Sequence, residues 1–231
     1  MHKLQESVAQ MPTPKNKAVQ QRFARIARRA RSVLAFQKQD HGWIKMAYRT
    51  REEAARELTK AKIPLNEWGK GVAKTLDFLL KECKDNVCQL QINTFGEVRR
   101  AIRIAKVMMM RGNHVLIESH TMVGGTNKLK ATWQLVSVKI HLSEDPRDAA
   151  LRGVQAELSL YDVKLSHKVD VHHETKFAPS YPGLPGYCEY FTFEADGSDL
   201  PAGDFETYTY NGTEEPTSHF WTWRSRQEWS Q

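Results

Sequence analysis

Residues 144–160 read EDPRDAALRGVQAELSL. Pro146 suits the first helical position, where its missing N–H has no intrahelical partner, and Asp145 or Ser143 can serve as the cap ahead of it. Ala150, Val154 and Leu158 follow at i, i+4 and i+8, which places them on one face. The spacing predicts a capped amphipathic helix laid on a sheet.

On the N-terminal side the periodicity is that of strands. Ala101, Ile102, Ile104, Val107 and Met109 run among Arg99, Arg103 and Lys106; Gly112 and Asn113 make a turn; and Val115 and Ile117 continue beyond it as the second arm of a hairpin. Gly124 and Gly125 mark another turn. Residues 130–140 then read as a third strand carrying Trp133, Leu135, Val136, Val138 and Ile140. On the C-terminal side, residues 163–171, 187–193, 205–210 and 219–223 read as further strands. Three strands, one helix and more strands make a mixed α/β (α+β) sheet architecture.

That order, together with the register of the helix, resembles the Nudix box: Gly, five residues, Glu, seven residues, then Arg-Glu-aliphatic-x-Glu-Glu-x-Gly-aliphatic. Aligned without gaps, Glu144 stands eight residues before Arg152, and Val154, Glu157 and Leu160 also match. Val138 stands at the leading Gly, Gly153 at the Glu after the Arg, Ala156 at the first Glu of the pair and Ser159 at the final Gly. The segments SYPGLPGY (180–187) and HFWTW (219–223) are similar to an uncharacterised Nudix-like set from plants and algae.

The resemblance implies a Nudix-like mixed β-sheet sandwich with one box helix. Such enzymes split diphosphate linkages with Mg²⁺ held by carboxylates gathered on one helix face. Gly153 and Ala156 cannot ligate, so Glu157 is left as a single, weak metal ligand. Arg152, Val154 and Leu160 keep the shape of the box, with Arg152 able to pair with Glu144 or Glu157. The reading is a non-catalytic module (a pseudo-Nudix hydrolase) with no cofactor, holding a place in a large assembly or binding RNA or a nucleotide. The alternative is a divergent nucleoside diphosphate-derivative pyrophosphohydrolase that uses Mg²⁺, Glu157, Glu144 and a loop acid such as Asp145, Asp148, Glu174, Glu189, Glu194, Glu206 or Glu214. The usual last helix of the family would begin near Ser225, so the N-terminal helices are expected to cover that side of the sheet.

Those helices precede the sheet. Thr50 followed by Arg51, Glu52 and Glu53 reads as a cap with acidic first-turn residues, and residues 68–82 as a second helix with Val72, Leu76, Leu79 and Leu80 on its apolar stripe. The organisation is a basic arm (1–49), a helical extension (50–95) and the sheet domain (96–231).

The first fifty residues hold eleven Lys or Arg against Glu6 and Asp40, so the remaining 181 carry a net −2 of the chain's +7. The basic excess belongs to the arm. Within it Val19, Phe23, Ile26, Ala30, Val33 and Leu34 recur at helical spacing beside Arg22, Arg25, Arg28, Arg29 and Arg31. Such a helix serves as an organelle presequence, for plastid or mitochondrion, as an arm on RNA or an acidic partner, or as a packing element with solvated arginines. The last two are preferred.

No stretch reaches the about 18 apolar residues of a membrane span. Cys83, Cys88 and Cys188 lack the second pair of a zinc site, which favours free thiols in a reducing, intracellular setting. His167, His172, His173 and Glu174 cluster in sequence, but His172 and His173 point to opposite faces of a strand and cannot share one ion.

Overall fold

A computed structural model describes residues 42–124, 128–210 and 215–229. The arm lies almost wholly outside them, and Arg22, Arg25, Arg28, Arg29 and Arg31 with it.

Thr50 caps helix α1 (Arg51–Lys60) by accepting from the Glu53 N–H, which satisfies one of the orphan donors of the first turn. The second helix starts later than its stripe suggests. Gly69 and Gly71 sit at positive φ, and only Thr75, accepting from the Phe78 N–H, caps α2 (Leu76–Lys84). A short strand β1 (Ile44–Lys45) lies ahead of α1, a 3₁₀ turn (Leu65–Glu67) separates α1 from α2, and a strand over Gln89–Ile92 falls within the stretch 50–95 that the sequence reading gives to helices.

The strands form one ten-stranded mixed sheet. Strand β3 (Val98–Arg111) is its spine. One edge runs parallel to β8 (Pro185–Asp196) from Arg100 to Met110, and β8 in turn pairs with β7 (Leu165–Phe177). The other edge is shared in succession by β2 (Gln89–Ile92), β6 (Val136–Lys139) and the start of β4 (His114–Val123). Strand β4 then leaves β3 and gathers β5 (Lys128–Gln134), β10 (Thr217–Ser225) and, through β10, β9 (Phe205–Thr209) into a second wing.

The expected single strand over residues 130–140 is two strands. Trp133 takes φ +45, β4 bulges between Glu118 and His120, and the chain passes at Leu135 from pairing with β4 to pairing with β3. A local left-handed kink thus lets one apolar run serve both wings. The Gly112-Asn113 hairpin forms as read, with Met110 opposite Val115 and Arg111 opposite His114.

Alternation along β3 separates two cores. Ala105, Val107 and Met109 face helix α3 (Pro146–Leu158) with Leu116, Phe193, Ala195 and Trp221, so α3 lies in the crook between the wings. Val98 and Ile102 face the other way, against α1, α2, Leu90, Cys188 and Tyr190. The SYPGLPGY segment fastens that second core. Tyr181 and Leu184 are buried in it, the Trp68 indole N–H donates to the Pro182 carbonyl at 2.9 Å, and Gly183, at φ +75, lies flat on Pro64. A four-residue helix α4 (Arg226–Trp229) follows β10. Among the described residues no helix is long and apolar enough to cross a membrane.

Candidate functional site

The loop entering α3 is held by one ion pair. Arg152 donates from Nε and Nη2 to the two carboxylate oxygens of Glu144 at 2.9 and 2.8 Å, and a third bond runs from Nη2 to the Lys139 carbonyl. The His141 backbone N–H also donates to Glu144. Burial works against the Glu144 charge, but Arg152 and the His141 N–H outweigh it and hold the carboxyl below its ordinary value. Both oxygens are therefore engaged in shaping the loop. Asp145 caps α3 on the Arg147 N–H, while the Arg147 guanidinium spans to the Leu165 and Ser166 carbonyls of β7.

Val154 is fully buried, and Leu160 packs against the same core. Ser159 ends α3 in the left-handed region at φ +56, a conformation glycine adopts without a Cβ penalty. The position that the box gives to Gly keeps the backbone of Gly here.

Gly153 and Val138 face each other. A Cβ placed on Gly153 would stand 3.0 Å from the nearer γ-methyl of Val138 and 3.2 Å from its Cβ. The two departures from the box are thus one change: where the pattern has a small residue in the strand and a carboxylate on the helix, this chain has a branched side chain in the strand and no side chain on the helix. Ala156 is solvent-exposed.

Glu157 alone remains on that face, half-buried. Burial first, and then the charge of Glu118, push its carboxyl up to about 8; a hydrogen bond with the Ser137 backbone opposes this without prevailing. Glu118 is a buried carboxylate in the middle of β4. It accepts from Gln134 Nε2 at 2.6 Å on one oxygen and meets His219 Nδ1 at 2.5 Å on the other. His219 Nε2 lies 2.8 Å from Thr209 Oγ1, which completes a polar chain across β5, β4, β10 and β9. In the tautomer whose Nδ1–H donates to the carboxylate, Nε2 is left to accept from the Thr209 hydroxyl.

Sequence reasoning did not single out Glu118 or His219. A signal existed in the carboxylate that ends the apolar run Val115, Leu116, Ile117, but its partner lies 101 residues away. Of the other acids proposed for rebuilding the site, four are occupied elsewhere. Glu189 pairs with the buried Arg103 at 3.3 Å and with His173 at 3.2 Å, Glu174 accepts from Tyr190 and Lys176, Glu194 accepts from Arg226, and Asp145 is the helix cap. Glu214 lies outside the described residues. His172 stacks on Tyr190 while His173 stacks on Tyr187, on opposite faces of β7 as their adjacency requires.

Mg²⁺ does not fit this residue set. The ion takes near-octahedral oxygen coordination and dehydrates reluctantly. Glu144 is locked to Arg152, position 153 has no side chain, and among the described residues no three His, Cys, Asp or Glu side chains come together as a ligand set.

No protein-family model matches the chain, and no curated protein does. Solved structures that it is similar to include the E. coli ORF135 protein (15% identity over 55% of this chain and 76% of that one, TM-score 0.34). A C. elegans Ap4A hydrolase (14%, 55% and 83%, TM-score 0.32) and a NUDIX-family hydrolase from Clostridium perfringens (17%, 55% and 82%, TM-score 0.30) are two more. Likeness at this level says nothing about chemistry.

Proposed function

We propose that this chain is a Nudix-like module that binds instead of hydrolysing, with its arginine-rich N-terminal segment as the tether to RNA or to a large assembly. The observation that carries the reading is the contact between Gly153 and Val138, because the space from which a metal-binding side chain would extend is taken by an apolar one. The Arg152–Glu144 pair and the left-handed Ser159 support a retained box shape.

A second reading has one observation in its favour. Two carboxylates whose environments differ, Glu157 and Glu118, are a common arrangement for acid–base work, and His219 supplies a further proton carrier. A screen of nucleoside diphosphate derivatives with Mg²⁺ or Mn²⁺ separates the two. Absence of turnover is expected; turnover abolished by Glu157→Gln would overturn the binding-module reading. For the tether, deleting residues 1–49 is expected to weaken binding to a generic single-stranded RNA and to flatten its salt dependence, measured by fluorescence anisotropy at several ionic strengths.

A further inference from the structure

Helix α2 ends in a turn that folds the chain back on itself. Asn86 takes the left-handed region at φ +58, its N–H donates to the Cys83 carbonyl, and the Val87 N–H donates to the Glu82 carbonyl at 2.9 Å. This double closure satisfies the last carbonyls of the helix and brings the next residue, Cys88, back beside Cys83 on the final turn. The two sulfurs stand 3.4 Å apart. A disulfide bond spans about 2.05 Å, so an approach of about 1.4 Å separates the thiols from a covalent link.

The two thiols are not equivalent. Cys88 is buried, whereas Cys83 is half-buried. Three donors converge on the Cys83 sulfur: the Cys88 S–H, the Tyr48 hydroxyl and the Leu90 backbone N–H. The Cys88 donation does most to bring the Cys83 thiol down to about 7; burial opposes it, and Tyr48 and Leu90 assist. The same contact, with burial, pushes the Cys88 thiol up. One sulfur is thus a nucleophile within reach of solvent, and the other is held protonated behind it. Among the described residues no group of three His, Cys, Asp or Glu forms that could hold a metal ion, so the pair is not part of a metal site there.

We propose that Cys83 and Cys88 are a redox-active dithiol that exchanges with small-molecule disulfides and closes reversibly into an intramolecular disulfide. The Cys83 thiolate, its proton given to water, attacks one sulfur of the small disulfide; that S–S bond breaks, and one thiolate leaves and is protonated. Cys88 then loses its proton to water and attacks the Cys83 sulfur; the mixed disulfide breaks, and the second thiolate leaves and is protonated. Two electrons pass from the cysteine pair to the small disulfide, which ends as two thiols.

This exchange is independent of the reading of the box helix. The full chain, reduced and then incubated with oxidised glutathione, is expected to fall from three free thiols to one and to recover all three in excess reduced glutathione. Trypsin cuts after Lys81, Lys84 and Arg99, so the link is expected to join peptide 82–84 to peptide 85–99 in mass spectrometry. At about pH 7 iodoacetamide is expected to label Cys83 of the reduced chain more than about tenfold faster than the buried Cys188. Neither measurement needs a variant to fold. Cys88→Ser is expected to trap a glutathione adduct on Cys83, and Cys83→Ser to leave Cys88 unmodified. Three thiols that persist in oxidised glutathione, a link through Cys188, equal labelling of Cys83 and Cys188, or an adduct on Cys88 in the Cys83→Ser chain would each overturn the proposal.

Discussion

Glu157 is an acid that folding makes harder to ionise. A carboxyl raised from 4.5 to about 8 takes up a proton on folding anywhere between those values. Stability from this group is therefore fully present below the unfolded value and is lost as the pH rises through about 8. Glu157→Gln holds the neutral shape at all pH. It is expected to leave the unfolding free energy at about pH 5 nearly unchanged and to raise it at about pH 9, by on the order of 2 kcal/mol once the water reaching a half-buried side chain is allowed for. Calorimetry at the two pH values checks this, and an equal change at both would show that neither burial nor the Glu118 charge raises the Glu157 carboxyl. The residues that built this pair were not legible together. Glu157 stood out through the spacing of the box, whereas Glu118 and His219 lie in strands with several other polar residues and are joined only when β4 and β10 pair.

Helix α3 was legible because its signals are local: Pro146 at the start, Asp145 as cap, and Ala150, Val154 and Leu158 at helical spacing, all of which the structure shows as read. Residues 130–140 were not, since a left-handed tryptophan and a bulge in a different strand produce the break. The late start of α2 has the same kind of cause, two glycines whose positive φ is set by the loop they lie in. For α3 itself, Gly153→Ala gains about 1 kcal/mol of helix propensity but crowds Val138, which costs about 1–3 kcal/mol. The single substitution is expected to be neutral to destabilising, and the same substitution in a Val138→Ala background to be stabilising, a coupling of about 1–2 kcal/mol in a double-mutant cycle by urea denaturation. Additivity of the two would show that the helix and the strand do not press on each other.

Across the molecule, two cores on opposite faces of β3 share one backbone. The junction of the helical extension with the sheet rests on Gly183, where an added Cβ would stand 2.3 Å from Pro64 Cδ and the φ of +75 disfavours any other residue. Gly183→Ala is expected to cost about 3 kcal/mol. The loss should appear in hydrogen exchange as faster opening of α1, α2 and β2 together, with α3 least affected. Uniform acceleration over the whole chain would show instead that the two cores open as one. The mixed α/β class was readable from periodicity; β1, β2 and the division of residues 130–140 into two strands were not, and neither was the branching of the sheet, because periodicity along one strand does not say which neighbour it pairs with.

That branching gives β3 a role beyond support. Val98, Ile102 and Ile104 belong to the core under α1 and α2, Ala105, Val107 and Met109 to the core under α3, and three separate strands draw hydrogen bonds from one of its edges. A small slide of β3 along its own axis would have to be accommodated by both cores and all three guests at once. Whatever presses on one face of this sheet is thereby felt on the other, through a single piece of backbone and without any side chain passing the message.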